Sequence, residues 1–218
     1  MYVLAIDTSN KMLSVGIVKD GVVLAEHIEE TKNNHSSKLM PAIQQAFSEW
    51  GKTPSEIDLI AVAHGPGSYT GVRIGVTVAK TLAWTLGKPL VGVSSLEVIA
   101  RNASDGVVVP LFDARRQTVF AGVYHKDKNI LPDGHYEIGA LLEQLPDKSV
   151  HFVGDTAVYR DIIRNFGTIS EDNVPKPLYL AQIALEKEPV EDVHGFKPQY
   201  LRLPEAEVNW LKEQKAHV

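Results

Sequence analysis

The sequence predicts an α/β protein of two similar lobes. Three observations support this fold class: an internal repeat, strands that alternate with helices in both halves, and a glycine-rich turn between a strand and a helix. The repeat aligns residues 6–18 with residues 112–124, and Asp7 and Asp113 each precede a glycine by nine residues. Each copy has the pattern strand, turn, strand, turn, strand, so we expect two βββαβα lobes.

A polar stretch that ends in glycine, residues 102–106, separates the two copies and is typical of a linker. We therefore place the first lobe at residues 1–105 and the second at residues 106–218, with the last segment able to pack back on the first lobe. Residues 205–218 have apolar residues near helical spacing and predict a short helix that either docks on a lobe or frays.

Composition restricts the function classes. The 218-residue chain has no cysteine and a net charge of −5, and none of its apolar runs reaches the ~18 residues that a membrane span needs. The amino terminus shows neither a basic leader nor a cleavage site. We expect a cytoplasmic protein without membrane contact. Arg115–Arg116 is the only adjacent arginine pair in the sequence, which predicts that a nucleic-acid partner is held mainly by another protein.

The first lobe offers the strongest local patterns. Leu39 and Ile43 belong to a row of apolar residues at helical spacing, which predicts an amphipathic helix from His35 to Trp50. Gly51 follows directly and is a typical helix terminator. The next apolar run, residues 57–63, contains β-branched residues and predicts a buried strand.

A glycine-rich turn follows that strand. Gly65 and Gly67 allow positive φ and a close backbone approach, and Ser68 is a candidate helix cap. Unpaired N–H groups at the start of the next helix, from about Thr70 to Leu86, would attract an anion such as phosphate.

That helix carries Gly71, Gly75 and Ala79 at intervals of four, so its stripe is almost without side chains. Two interpretations stay open. The stripe packs against a neighbouring helix of the same lobe, or it receives a helix of a partner protein, because glycine inside a helix is costly unless another backbone comes close.

The complete string from His64 to Gly75 resembles the signature of the TsaB (YeaZ) family, and three further stretches agree with it: residues 4–9, 34–41 and 198–202. The resemblance therefore runs along the whole chain. It implies the actin-like ATPase and sugar-kinase superfamily fold, with duplicated ribonuclease-H-like lobes and a nucleotide site between them.

The resemblance also implies a nucleotide site that is only vestigial. Its remaining residues are acidic and hydroxyl residues after the first strand, and glycine and serine residues of the glycine-rich turn. They are Asp7, Thr8, Ser9, Gly65, Gly67 and Ser68. Arg115 stands where the superfamily has a glycine, and Asp155 replaces a glycine of the adenosine turn. Ser95 and Ile99 occupy positions of the metal motif of the related catalytic subunit, TsaD. We therefore expect no metal, no cofactor and no catalytic residue.

By the same resemblance, the chain is a non-catalytic pseudo-enzyme subunit. It would pair with a TsaD-like catalytic subunit, be joined by a TsaE-like small ATPase, contact tRNA only indirectly, and form a homodimer when alone. The complex would transfer threonylcarbamoyl from threonylcarbamoyl-AMP to the adenosine beside the tRNA anticodon. The expected interface lies on the two long helices, at Leu39, Ile43, Tyr69, Gly71, Arg73, Gly75 and Ala79. The rival interpretation is an active ATP-dependent kinase of the superfamily, or a peptidase.

Overall fold

The structure is a computed structural model that describes residues 1–31, 34–103, 106–126, 128–146 and 150–202. Its first sheet has the strand order β3-β2-β1-β4-β5. The strands are β1 (Tyr2–Asp7), β2 (Met12–Lys19), β3 (Val22–Glu30), β4 (Leu59–Ala63) and β5 (Leu90–Val93). The first three strands are antiparallel, whereas β4 and β5 run parallel to β1.

The second sheet repeats this topology, with the order β10-β9-β6-β7-β8. Its strands are β6 (Val107–Asp113), β7 (Thr118–His125), β8 (Lys128–Glu137), β9 (Val150–Gly154) and β10 (Gly167–Ile169). Asp7 ends β1 and Asp113 ends β6, so the aligned aspartates occupy equivalent places. The predicted duplication is confirmed, and the boundary between the lobes stays a prediction because residues 104 and 105 lie outside the described ranges.

The helices of the first lobe follow the sequence patterns closely. Helix α1 is His35–Trp50 and ends at Gly51, whose φ is +74° and whose N–H donates to the Phe47 carbonyl at 2.9 Å. Helix α2 is Tyr69–Leu86, and the Ser68 hydroxyl accepts a hydrogen bond from the Gly71 N–H at 3.3 Å. Both helices cover one face of the first sheet with their buried apolar side chains.

Two helices connect the lobes by packing against elements from the other half of the chain. Helix α3 (Ser95–Ala100) places Leu96 and Ile99 in a core with the second sheet. Helix α6 (Pro177–Leu185) instead covers the remaining face of the first sheet. The short helices α4 (Ile138–Leu142) and α5 (Arg160–Ile163) belong to the core of the second lobe.

The chain after α6, residues 186–202, runs back over the first lobe as an arm. The Val190 N–H donates to the Leu90 carbonyl at 2.8 Å, and Lys80 donates to the carbonyls of His194 and Phe196 at 2.6 and 2.8 Å. The arm is therefore attached to the edge strand β5 and crosses α2. The predicted helix at residues 205–218 lies outside the described residues. Of the described helices, none is long and apolar enough to cross a membrane.

The glycine stripe of α2 packs against its own lobe. A methyl group at Gly71 would overlap the Thr8 carbonyl oxygen, and one at Gly75 would lie 2.5 Å from the Thr8 hydroxyl. The Thr8 hydroxyl also donates to the Gly71 carbonyl at 2.7 Å. The prediction that this stripe is a bare ridge for a partner is therefore wrong. The alternative interpretation, in which the stripe packs against a neighbouring helix of the same lobe, is wrong as well. Gly71 and Gly75 contact Thr8, which lies in the turn after β1.

Three other residues of the expected interface are covered in the same way. Leu39, Ile43 and Ala79 are buried in the core of the first lobe, with at most 2% of their surface exposed. They cannot touch a partner while the lobe is folded, because the sheet below and the adjoining helix already enclose them. Their apolar spacing reports packing on the sheet, which is the ordinary role of an amphipathic helix face.

We expect Gly71→Ala to destabilise the protein by ~1–3 kcal/mol, because the added methyl group meets backbone and can be accommodated only if α2 moves away from β1. Thr77→Ala, on the exposed side of the same helix, should change stability by less than about 0.5 kcal/mol. Urea unfolding of both variants measures the difference. Equal stabilities would contradict the close packing of α2 on Thr8.

Candidate functional site

A cleft lies between the lobes, where β1 and β6 end at Asp7 and Asp113. It contains a cavity of about 790 Å³ that the turns after both strands and the start of α2 enclose. Its polar lining residues include Ser9, Lys11, Glu30, Thr31, His35, Ser68, Thr70, Asp113, Arg115 and Asp155. Carboxylates, hydroxyls and two cationic groups therefore face one space, which is the polar surrounding that a bound ion or phosphate compound needs.

On the first-lobe side of the cleft, two buried polar atoms lack hydrogen-bond partners within the described part of the chain. Asp7 is fully buried, and its Oδ1 accepts a hydrogen bond from the Ser9 N–H at 2.8 Å. Asp7 Oδ2 and Ser9 Oγ have no hydrogen-bond partner among the residues that the structure describes. Burial raises the pKa of Asp7 to about 6, against an ordinary value of 3.8. Buried polar groups without hydrogen bonds are rare and destabilise the fold. These two atoms therefore indicate a candidate functional site at the end of β1.

The second-lobe side carries two neighbouring carboxylates. Asp113 Oδ1 accepts hydrogen bonds from the Tyr159 hydroxyl at 2.8 Å and from the Arg115 N–H at 2.9 Å. Asp155 Oδ2 accepts the Asp113 N–H at 3.2 Å. Burial raises the pKa of Asp155, and the charge of Asp113 adds a smaller rise, whereas the hydrogen bond from the Asp113 N–H and the charge of Lys11 lower this pKa. A phosphate here would meet these negative charges.

The turn that precedes Asp155 is tight. Gly154 has φ +100°, and a methyl group there would overlap the Leu111 carbonyl oxygen. Its N–H donates to the Asn173 Oδ1 at 2.7 Å, and the Asp155 N–H donates to the Leu111 carbonyl at 2.9 Å. Both amides are therefore occupied within the chain and do not point to an open phosphate site.

The Gly-Pro-Gly turn is also filled by the chain itself. The Ser68 N–H donates to the Ser9 carbonyl at 2.6 Å, and a methyl group at Gly67 would overlap that same oxygen. A methyl group at Gly65 would lie 2.6 Å from the Gln199 carbonyl oxygen. The glycines thus admit two approaching carbonyls. The predicted anion nest loses at least the Ser68 and Gly71 amides to internal acceptors, although Gly67 and Ser68 do lie beside Ser9 as expected.

Ser95 and Ile99 serve the fold. The Ser95 hydroxyl accepts the Gly65 N–H at 3.2 Å, and the Ser95 N–H donates to the Gly65 carbonyl at 2.9 Å. Ile99 is fully buried in the core that joins α3 to the second sheet. Across the described ranges, no group of three His, Asp or Glu residues could hold a metal ion.

Two cleft residues were not recognised in the sequence as members of a site. His35 is buried at the start of α1, where its Nε2 lies 2.9 Å from the Asn10 carbonyl and its Nδ1 lies 2.8 Å from the Thr31 hydroxyl. Burial lowers the pKa of His35. Tyr159 reaches Asp113 from a turn 46 residues further along the chain. Asn10 lies 25 residues before His35 and Asp113 lies 46 residues before Tyr159, so no local sequence pattern predicts either contact.

A second cavity of about 500 Å³ adjoins the first and shares Gly67, Tyr69, Asp113, Arg115 and Phe120 with it. The rest of its wall includes Arg116 and the arm, at residues 199–202, together with Pro66, Val72 and Ala114. The Arg202 Nη1 donates to the Ala114 carbonyl at 3.0 Å. The arm therefore touches both lobes at this cavity.

The expected interface residues Tyr69 and Arg73 lie on the outer side of α2. Arg73 Nε donates to the Tyr200 hydroxyl at 2.6 Å, and its guanidinium lies 4.0 Å from the centre of the Tyr69 ring. Beside them, exposed and half-buried side chains of α1 and α2 form a shallow depression: Ser36, Thr70, Ile74, Thr77 and Val78. This outer face, which we call the α1–α2 face, contains residues that sequence reasoning did not select.

The duplicated sheets and the cleft between them define a two-lobed protein of the actin-like ATPase and sugar-kinase superfamily fold. The ethanolamine utilization protein EutJ from Carboxydothermus hydrogenoformans shares this fold with a TM-score of 0.55 at 13% identity, over 83% of this chain and 89% of that one. YeaZ from Pseudomonas aeruginosa is more similar, with a TM-score of 0.75 and 26% identity over 92% of this chain and 99% of its own.

Sequence comparison gives the family. The family model described as "TsaD: tRNA N6-adenosine threonylcarbamoyltransferase" matches residues 23–210. A Bacillus subtilis relative named "tRNA threonylcarbamoyladenosine biosynthesis protein TsaB" is 44% identical over 99% of this chain and 100% of its own length. A relative of the same name from Escherichia coli is 37% identical over 59% of this chain and 57% of its own. The chain belongs to the TsaB family.

The raised pKa of Asp7 gives a pH-dependent stability. The folded state binds the Asp7 proton more tightly than the unfolded state does, so proton binding by Asp7 stabilises the fold below pH 4. This stabilisation is lost as the pH rises through about 6. The rise from 3.8 to about 6 corresponds to ~3 kcal/mol. We expect the stability difference between the native protein and Asp7→Asn to fall by up to that amount between pH 4 and pH 7. Urea unfolding across this range measures it, and a constant difference would contradict it.

Proposed function

We propose that this chain is a non-catalytic subunit of the machinery that makes threonylcarbamoyladenosine in tRNA. Membership of the TsaB family supports a role in this modification. The observation that carries the non-catalytic assignment is the use of Ser95 and Ile99. One is hydrogen-bonded to the Gly65 backbone and the other is buried in a core. The place that the resemblance assigns to the metal motif of TsaD is therefore structural in this chain.

The α1–α2 face is the surface that we propose for pairing with a TsaD-like catalytic subunit. It combines the exposed Tyr69 ring and the half-buried Ile74 and Val78 with small hydroxyl side chains. Met40 adds a further exposed apolar side chain on α1, with 43% of its surface accessible. Such a mixture of aromatic, aliphatic and small polar groups suits the centre of a protein–protein interface.

In this proposal the TsaD-like subunit transfers threonylcarbamoyl from threonylcarbamoyl-AMP to the adenosine beside the anticodon, and a TsaE-like ATPase joins the pair. This chain stabilises the catalytic subunit's active arrangement. Without that subunit, a second copy of this chain occupies the same face, since a twofold pair can bury one patch of each copy.

Pairing is tested by Thr77→Arg, which places a long charged side chain inside the depression on the α1–α2 face. We expect capture of a purified TsaD-like subunit of the same organism to weaken at least about tenfold, because the charge must be desolvated in the interface. The matched control is Thr85→Arg, which adds the same charge at an exposed position two turns along α2. Light scattering after size exclusion reports self-pairing of both variants. Unchanged capture by Thr77→Arg would move the interface elsewhere.

The kinase alternative makes a separate prediction about the purified chain. A kinase needs a general base and a phosphate site, whereas the cleft carries Asp113 and Asp155 where phosphate would lie. We expect no release of phosphate from MgATP by the chain alone. Calorimetry and a phosphate assay measure binding and turnover, and turnover that disappears in Asp7→Asn would establish an enzyme instead.

A further inference from the structure

The fold gathers arginines that are scattered along the sequence. Arg115, Arg116 and Arg202 line the 500 Å³ cavity, and Arg73 joins them through its hydrogen bond to Tyr200. The chain as a whole has a net charge of −5. A cavity with three arginines in its wall and one acidic residue, Asp113, is therefore a local exception that favours an anionic partner.

The backbone that presents two of these arginines adopts a conformation that is unfavourable for them. Arg115, Arg116 and Gln117 have φ values of +65°, +53° and +60°. A left-handed backbone is disfavoured for every residue that carries a Cβ, and glycine is the usual solution at such positions. Strain of this kind concentrates at binding sites, where it fixes the direction of a side chain.

The guanidinium groups of Arg115 and Arg202 differ in how many of their N–H donors already have a partner within the chain. Within the described part of the chain, the Arg115 guanidinium has no hydrogen-bond or ion-pair partner, and its side chain is exposed. Arg202 gives one N–H to the Ala114 carbonyl at 3.0 Å, which fixes its position while other donors of the fork remain. A phosphate oxygen suits such paired guanidinium forks.

Aromatic rings stand beside the arginines. Tyr69, Tyr200 and Phe120 line the same cavity, and the Tyr69 and Tyr200 ring centres are 5.1 Å apart. Tyr69 and Tyr200 have 45% and 41% of their surface exposed. Exposed rings next to arginines are the combination on which the bases of single-stranded RNA stack.

We infer that this cavity, the arginine–tyrosine pocket, binds one unpaired nucleotide of the RNA substrate directly. Arg115, Arg116 and Arg202 contact its phosphate, and a tyrosine ring stacks on its base. An acidic peptide would satisfy the arginines but would leave the rings without a planar partner. The inference rests on the proposed function, since it assigns the RNA of that reaction to this site, and it replaces the expectation of purely indirect contact.

Direct binding by the full chain tests this inference. The probe is a fluorescently labelled tRNA transcript, titrated by anisotropy between 50 and 200 mM salt. We expect the double variant Arg115→Ala, Arg116→Ala to bind at least about tenfold more weakly, with a plot of log affinity against log salt that is shallower by about 2. The control is Arg160→Ala, Arg164→Ala, which removes the same charge from exposed positions at the start of α5 and directly after its end and should bind like the native chain.

A second variant separates lost binding from lost folding. Arg115→Gly removes the guanidinium and also relieves the left-handed strain, so it should raise the melting temperature by a few degrees while it weakens RNA binding. A variant that is more stable and yet binds less cannot owe its defect to unfolding.

Absence of RNA binding by the native chain at 50 mM salt would overturn the inference, as would equal losses of affinity in the two double variants. It would also be overturned if AMP or polyglutamate displaced the labelled RNA at the same concentrations as unlabelled RNA does. These results leave the proposed function intact, because the arginine variants should still capture the TsaD-like subunit. Conversely, Thr77→Arg should lose that capture and keep its affinity for RNA.

Discussion

The structure depends on how closely α2 approaches the turn after β1. Thr8 and Ser9 present their carbonyl oxygens to glycines of the Gly-Pro-Gly turn and α2, and the Thr8 hydroxyl and the Ser68 N–H complete the contact. Side chains at Gly67 or Gly71 would separate these two backbones. Because α2 also carries the outer residues of the α1–α2 face, this one packing contact fixes the position of both the cleft and the proposed interface.

The same contact determines the chemistry of the cleft. It uses N–H groups that would otherwise face an anion, and it encloses Asp7, one of whose carboxyl oxygens has no partner in the described ranges. A phosphate placed there would meet Asp113 and Asp155 from the opposite lobe. The cleft at the ends of β1 and β6 is therefore unfavourable for an anion. The neighbouring cavity, which three arginines line, is more favourable.

Local patterns in the sequence predicted most of the fold. The repeat around Asp7 and Asp113 and the helix from His35 to Trp50 have strong local signals, and the structure has them where expected. The stripe at Gly71 and Gly75 was different, since glycine spacing shows that something comes close but does not identify it. The approaching group is Thr8, more than 60 residues earlier in the chain.

Contacts made by the arm were beyond local reasoning for the same reason. Residues 198–202 matched the family's pattern, but the sequence does not show which residues they contact. Tyr200 contacts Arg73, and Arg202 contacts Ala114 across the cleft. Charge counting along the chain showed scattered basic residues. Tertiary structure brings four of them together, so a search for a basic stripe in the sequence could not find this cavity.

Arg115 shows how one turn can exchange one kind of anion recognition for another. The superfamily resemblance implies glycine at this position, where the left-handed backbone lets amides approach a phosphate. Here the turn keeps its left-handed geometry, with φ +65°, although the residue carries a long side chain. The Arg115 N–H donates to Asp113 Oδ1 at 2.9 Å, and the side chain places its guanidinium in the wall of both cavities. A left-handed backbone at a binding site fixes the direction of the side chain that it carries, and here that side chain is the guanidinium that lines both cavities.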